Sequence, residues 1–319
     1  MLGNLKMRRL SSSFINDLKH GILSPILDDV LSDNNLDLEI RNEYVNIYYG
    51  GGNLLRIRQM KKAYRYNFFF DIRYVDIGSP MLAKIKELPE KIHSESDVSV
   101  WNEMIPYIKK EMDRNFIKNS KPEREFQQLV VRENNTGKTS KATDYSIFDI
   151  EYQRGNTRFD LVGGRKLKND KFRLAIIEMK YLDGALKGKA GLIEHIEKAK
   201  CFFDNNDINE FKKELIVIVK QKQELGLISN LPEKIEFSTI IPEFIFLIAN
   251  HKPASSVLQA ELDKLVSEDF YKDFSKIFEL KIAVANFMGY GLFNNCVYNM
   301  REFNSINDNL VKLLIERKK

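Results

Sequence analysis

Two short stretches decide how this chain is read: Arg158-Phe159-Asp160-Leu161-Val162 and Ala175-Ile176-Ile177-Glu178-Met179-Lys180. Both are apolar runs bounded by turn formers or by basic residues, the pattern of short buried strands. Alternate side chains of a strand share a face. Glu178 and Lys180 therefore project from one side, and Ile177, Met179 and Tyr181 from the other. Asp160 stands 18 residues before Glu178. The intervening segment 163–171 allows the two strands to pair as neighbours, which brings Asp160 and Glu178 to one end of a common sheet.

Two carboxylates and an ammonium among apolar residues are costly unless they are paired or bind a cation. Mg²⁺ favours carboxylate oxygens and keeps several waters. A cation held there polarises a phosphoryl oxygen and lowers the pKa of a bound water. Lys180 is suited to orient that water or to stabilise developing negative charge. Phosphodiester hydrolysis fits this set better than acyl transfer or proton abstraction.

Outward from these strands the pattern is mixed. A helix is expected from Pro122 to about Glu133, opened by Ser120 and Pro122 and striped by Phe126, Leu129 and Val130. A polar loop, 134–143, and a strand, 144–153, lead into Gly155-Asn156. After the hairpin come a helix over 188–205, a buried strand over 214–220 and another over 244–249. A helix over 255–267, a strand or mixed segment over 276–286 and a closing helix over 300–317 complete this half. Hairpin-connected strands followed by a crossover imply a mixed α/β sheet flanked by helices.

The first 119 residues read differently. A basic arm and a helix ending near Ser24-Pro25 precede alternating strands at 36–40, 44–49, 54–58 and 66–75. Gly50-Gly51-Gly52 marks a turn; no helix or lysine follows it as a phosphate loop requires. Helices are expected over 81–88 and 97–118, the second carrying Trp101. The expected parts are thus a β-rich α+β part over 1–119, for substrate or partner recognition, and an α/β domain over 120–319.

Composition bounds the rest. The 319 residues are 43% hydrophobic and 11% aromatic, enough for a substantial core. Fifty Lys and Arg against 45 Asp and Glu give +5, compatible with a polyanionic partner but no proof of one. Two cysteines, Cys201 and Cys296, exclude a disulfide framework and CxxC zinc sites. The most apolar run, 240–250, is interrupted by Pro242 and Glu243 and falls well short of the ~20 residues a membrane helix needs. A soluble, cytoplasmic protein without a membrane partner is expected.

Asp160 with Glu178-Met179-Lys180 resembles the PD-(D/E)XK nuclease superfamily, the restriction-endonuclease-like fold. The helix with Glu123-Arg124-Glu125 looks like that family's first core helix, and 188–205 like its second. The resemblance covers about 122–220. Phe159 stands where proline often precedes the aspartate. The Gln and Tyr pair that some members carry on the second helix is absent, although His195 could face the site there. The resemblance implies Asp160, Glu178, Lys180 and Glu125 as catalytic residues, with Glu123 as second choice for the auxiliary acid. It implies Mg²⁺ (or Mn²⁺ in its place) held by Asp160, Glu178 and Met179. The implied activity is metal-dependent cleavage of nucleic acid, DNA foremost, in restriction, repair or defence, and a homodimer is compatible with it. The alternative is a non-catalytic nucleic-acid-binding or assembly protein that retains the fold.

The Asp/Glu-x-Lys pattern recurs at Asp17, Glu210 and Glu279; only Glu279 lies in a strand-like segment, and its upstream acids are helical. Arg165, Lys166, Lys168, Lys171 and Arg173, extended by Lys187 and Lys189, form a basic edge suited to phosphate contacts. A second run, Arg56, Arg58, Lys61, Lys62 and Arg65 with Tyr64 and Tyr66 interleaved, suits phosphates or bases, or blunts a strand edge.

Overall fold

The computed structural model describes residues 7–316 apart from 62–64, 137, 156, 189–190, 230, 252–255 and 286–291. The chain is mixed α/β and divides into two compact units. They are Met1–Gln128 with Glu214–Ser229, and Leu129–Lys213 with Asn230–Lys319, rather than two parts meeting once near residue 120. No helix among the described residues is long and apolar enough to cross a membrane.

In the first unit, α1 (Ser12–His20) and α2 (Ser24–Ser32) precede an antiparallel sheet. The Ser11 hydroxyl caps α1 by accepting from the Phe14 N–H. Ser24-Pro25, expected to end a helix, opens α2 instead. Proline lacks the N–H that a first turn leaves unpaired, so it suits a helix start. The strands are β1 (Leu36–Ile40), β2 (Tyr44–Tyr49), β3 (Gly52–Gln59), β4 (Tyr66–Phe69) and β5 (Lys91–Ile92), paired in chain order. Gly50 and Gly51 adopt φ of +54° and +83° between β2 and β3, which explains the glycine run. The strand expected over 66–75 stops at Phe69. Asp71 accepts from the Arg73 N–H and winds 72–74 into a 3₁₀ turn. Helices α3 (Met81–Lys86) and α4 (Glu95–Lys118) complete this part, and helix α5 (Pro122–Asn135) runs from the first unit's sequence into the second's.

In the second unit, β6 (Tyr145–Arg154), β7 (Thr157–Lys166) and β8 (Lys171–Tyr181) form the expected antiparallel hairpins. Helix α6 (Leu192–Asn205) follows. The strand expected over 214–220 is instead part of helix α7 (Ile208–Glu224). Leu215-Ile216-Val217-Ile218-Val219 reads as a strand by itself. Phe211, Leu215, Ile218 and Val219, all fully buried, recur at the three- and four-residue spacing of a helix face. Glu214 onward belongs to the first unit, where Lys222 Nζ lies 2.7 Å from Glu39 Oε1 and Glu214 accepts from Arg8.

The strand β9 (Glu236–Phe237) pairs with the start of β8. Then β10 (Glu243–Ala249) and β11 (Glu279–Val284) add in parallel, and β12 (Tyr298–Asn299) closes antiparallel. Sheet order is β12-β11-β10-β8-β7-β6. Helices α8 (Ser256–Leu265), α9 (Glu268–Phe274) and α10 (Met300–Glu316) belong to this unit.

Gly163 of β7 leaves no room for a side chain beside β6. A Cβ there would stand 2.4 Å from the Ser146 carbonyl oxygen. Gly163→Ala is therefore expected to destabilise the protein by about 3 kcal/mol, the upper end of overpacking costs, as read from the shift of the urea midpoint.

His251, just after β10, is buried, and its Nδ1 finds no hydrogen-bond partner among the described residues. Burial pushes its imidazole below the usual 6.5, against a weaker opposing pull from Asp183. The unfolded chain therefore takes up the proton first as pH falls. This contribution to stability is complete above about pH 6.5 and shrinks below it. Melting curves from pH 7 to 5 are expected to flatten in His251→Leu relative to the native chain.

Candidate functional site

The ladder between β7 and β8 ends at Leu161 opposite Ile177. One step beyond, the register sets Asp160 opposite Glu178, on one face of the sheet. There the Asp160 side chain replaces a strand partner: its Oδ2 accepts the Met179 N–H at 3.0 Å. Asp160, Glu178 and Lys180 are each 3% exposed.

Glu178 draws the rest together. Its Oε1 accepts from Lys180 Nζ at 3.0 Å, since Lys180 lies two residues along the same face. The first turn of α6 brings His195 Nδ1 to the same oxygen at 2.6 Å. Burial pushes the Glu178 carboxyl up, but the His195 hydrogen bond and the Lys180 charge outweigh it and hold the carboxyl below its ordinary range. An ionised Glu178 requires His195 Nδ1 to carry a hydrogen. No described residue donates a hydrogen bond to Glu178 Oε2.

Glu125 is exposed and Glu123 half-buried on α5, both within the sequence of the first unit. Among the described residues no three His, Cys, Asp or Glu side chains stand close enough to hold a metal ion together. The hard donors present are therefore two carboxylates and main-chain oxygens. That set suits Mg²⁺, which is commonly held by one or two carboxylates with water and substrate phosphate completing its shell. Met179 turns a fully buried side chain to the other face, so only its main chain could contribute. Its N–H points toward Asp160, and in a strand the carbonyl of the same residue points to the same side.

The basic edge is less available than the sequence suggests. Arg165 Nε, Arg173 Nη1 and Lys281 Nζ lie 2.9, 3.1 and 3.1 Å from Oε1 of Glu243, which is fully buried. Glu243 Oε2 accepts from Tyr145 Oη at 2.8 Å, and Arg173 also pairs with Glu279. Lys166 Nζ donates to the Thr143 carbonyl, and burial pushes its ammonium pKa down. Lys168 and Lys187 are exposed, with no ion partner among the described residues. Lys189 lies outside the described residues. Sequence reading missed Glu243; its signal was an acid at the threshold of an otherwise wholly apolar strand.

Comparison with known protein families, curated proteins and solved structures finds no match to this chain.

Removing Lys180 leaves a buried carboxylate with His195 alone. Lys180→Met is expected to cost about 3 kcal/mol in denaturant unfolding, and adding Glu178→Leu is expected to recover most of it, as when buried ion pairs are replaced by apolar residues.

Proposed function

We propose that the second unit is a restriction-endonuclease-like core that hydrolyses phosphodiester bonds in DNA. The observation that carries this reading is the meeting of Asp160, Glu178 and Lys180 on one sheet face where β7 parts from β8. Hairpins β6-β7-β8, helix α6 and the parallel neighbour β10 agree with such a core. The departure is α7, a helix where the strand after the second core helix was expected.

A divalent cation would be held by Asp160, Glu178 Oε2 and the Met179 carbonyl. When bound, it polarises a phosphoryl oxygen and makes water a better nucleophile. Lys180 keeps hydrogens beyond the one given to Glu178 and can direct them at a non-bridging oxygen, where charge grows in the transition state. His195 Nε2 is suited to accept a proton from the attacking water. Glu125 remains the proposed auxiliary acid.

The test is to incubate plasmid and single-stranded DNA with Mg²⁺ or Mn²⁺. The native chain is expected to cleave, and EDTA to stop it. Asp160→Asn, which can keep the acceptor for Met179, and Lys180→Ala, checked for an intact melting transition, should each lose about a hundredfold or more in rate. Equal cleavage by both variants removes these residues from the mechanism. Binding without cleavage under either metal favours a non-catalytic nucleic-acid-binding protein with the same core.

A further inference from the structure

The five-stranded sheet of the first unit has two unlike faces. Val45, Ile57 and Phe68 stand side by side in register and are fully buried. Alternate residues face the other way and form two cross-strand rows. One row runs Tyr44, Arg58, Asn67, Lys91 across β2 to β5; the next runs Asn46, Arg56, Phe69 across β2 to β4. Neither row holds a carboxylate between β2 and β5.

The cations in these rows meet rings. The Arg56 guanidinium lies 5.4 Å from the Tyr44 ring centre and 5.7 Å from that of Phe69, and Arg58 lies 4.9 Å from Tyr44. Asn46 fixes Arg56 by accepting from its Nε at 3.0 Å. Arg58 and Lys91 are exposed, and Phe69 is 49% exposed.

We infer that this face binds single-stranded DNA. Unpaired bases stack on aromatic rings and guanidinium planes while cations follow the phosphates. Tyr44 and Phe69 supply the rings, and Arg56, Arg58 and Lys91 the positive charge. A duplex hides its base faces inside the stack and cannot use the rings. The choice of DNA over RNA rests on the nuclease reading; the binding itself does not.

The full chain is titrated into a short fluorescein-labelled oligodeoxythymidylate in EDTA, and anisotropy is followed. Phe69→Ala and Arg58→Ala are each expected to weaken binding about tenfold at an unchanged melting temperature, because both side chains are exposed. With the native chain, the same strand carrying bromodeoxyuridine is expected to photo-cross-link to peptides containing Tyr44 or Phe69. Undiminished binding by both variants, cross-links confined to other peptides, or tighter binding of duplex or of RNA overturns the inference. EDTA separates the two readings. Loss of this binding leaves metal-dependent cleavage standing, and binding without cleavage leaves this inference standing.

Discussion

A carboxylate buried in a sheet is tolerable only when its charge is met, and Glu243 and Glu178 of the second unit solve that problem in different ways. At the start of β10, Glu243 has both oxygens committed: one to Arg165, Arg173 and Lys281, the other to Tyr145. Glu178, further along the neighbouring strand, meets Lys180 and His195 through one oxygen only. Both centres satisfy the cost of burial. The first is saturated by protein groups, whereas the second keeps an acceptor for something else. That contrast is the reason the proposed site is centred on Glu178.

The register also separates them. Glu243 pairs with Ala175, and Arg165 with Arg173, while Glu178 and Lys180 have the opposite parity along β8. The two ion groups therefore occupy opposite faces and opposite ends of one sheet. Cations that look like a single basic edge in the sequence are divided by alternation, and those beside Glu243 are spent on the architecture.

Much of the sheet was legible because strand periodicity is local. The alternation in 36–40 and 44–49, the glycines at 50–52 and the pairing of 157–163 with 172–181 follow from neighbouring residues alone. The same-face placement of Glu178 and Lys180 also needed only the two-residue repeat. The misread helix had an apolar run too dense to show a period, and its deciding signal, Phe211, lay outside that run. The basic residues misled for a different reason. The counter-ions of Arg173 lie 70 and 106 residues downstream, and no local pattern announces them. His195 was visible as a candidate, but its contact with Glu178 depends on where α6 begins, which backbone geometry decides.

The first unit borrows from the middle of the chain. Glu39 and Arg8 are buried, and their partners Lys222 and Glu214 follow 183 and 206 residues later. During synthesis the meander leaves the ribosome long before those partners exist. Until they arrive, enclosing Glu39 and Arg8 would cost their solvation without Lys222 and Glu214 to offset it. Cutting the gene after the last N-terminal helix would make that cost permanent: the fragment would keep Arg8 and Glu39, both built for burial, without the helix that carries Glu214 and Lys222.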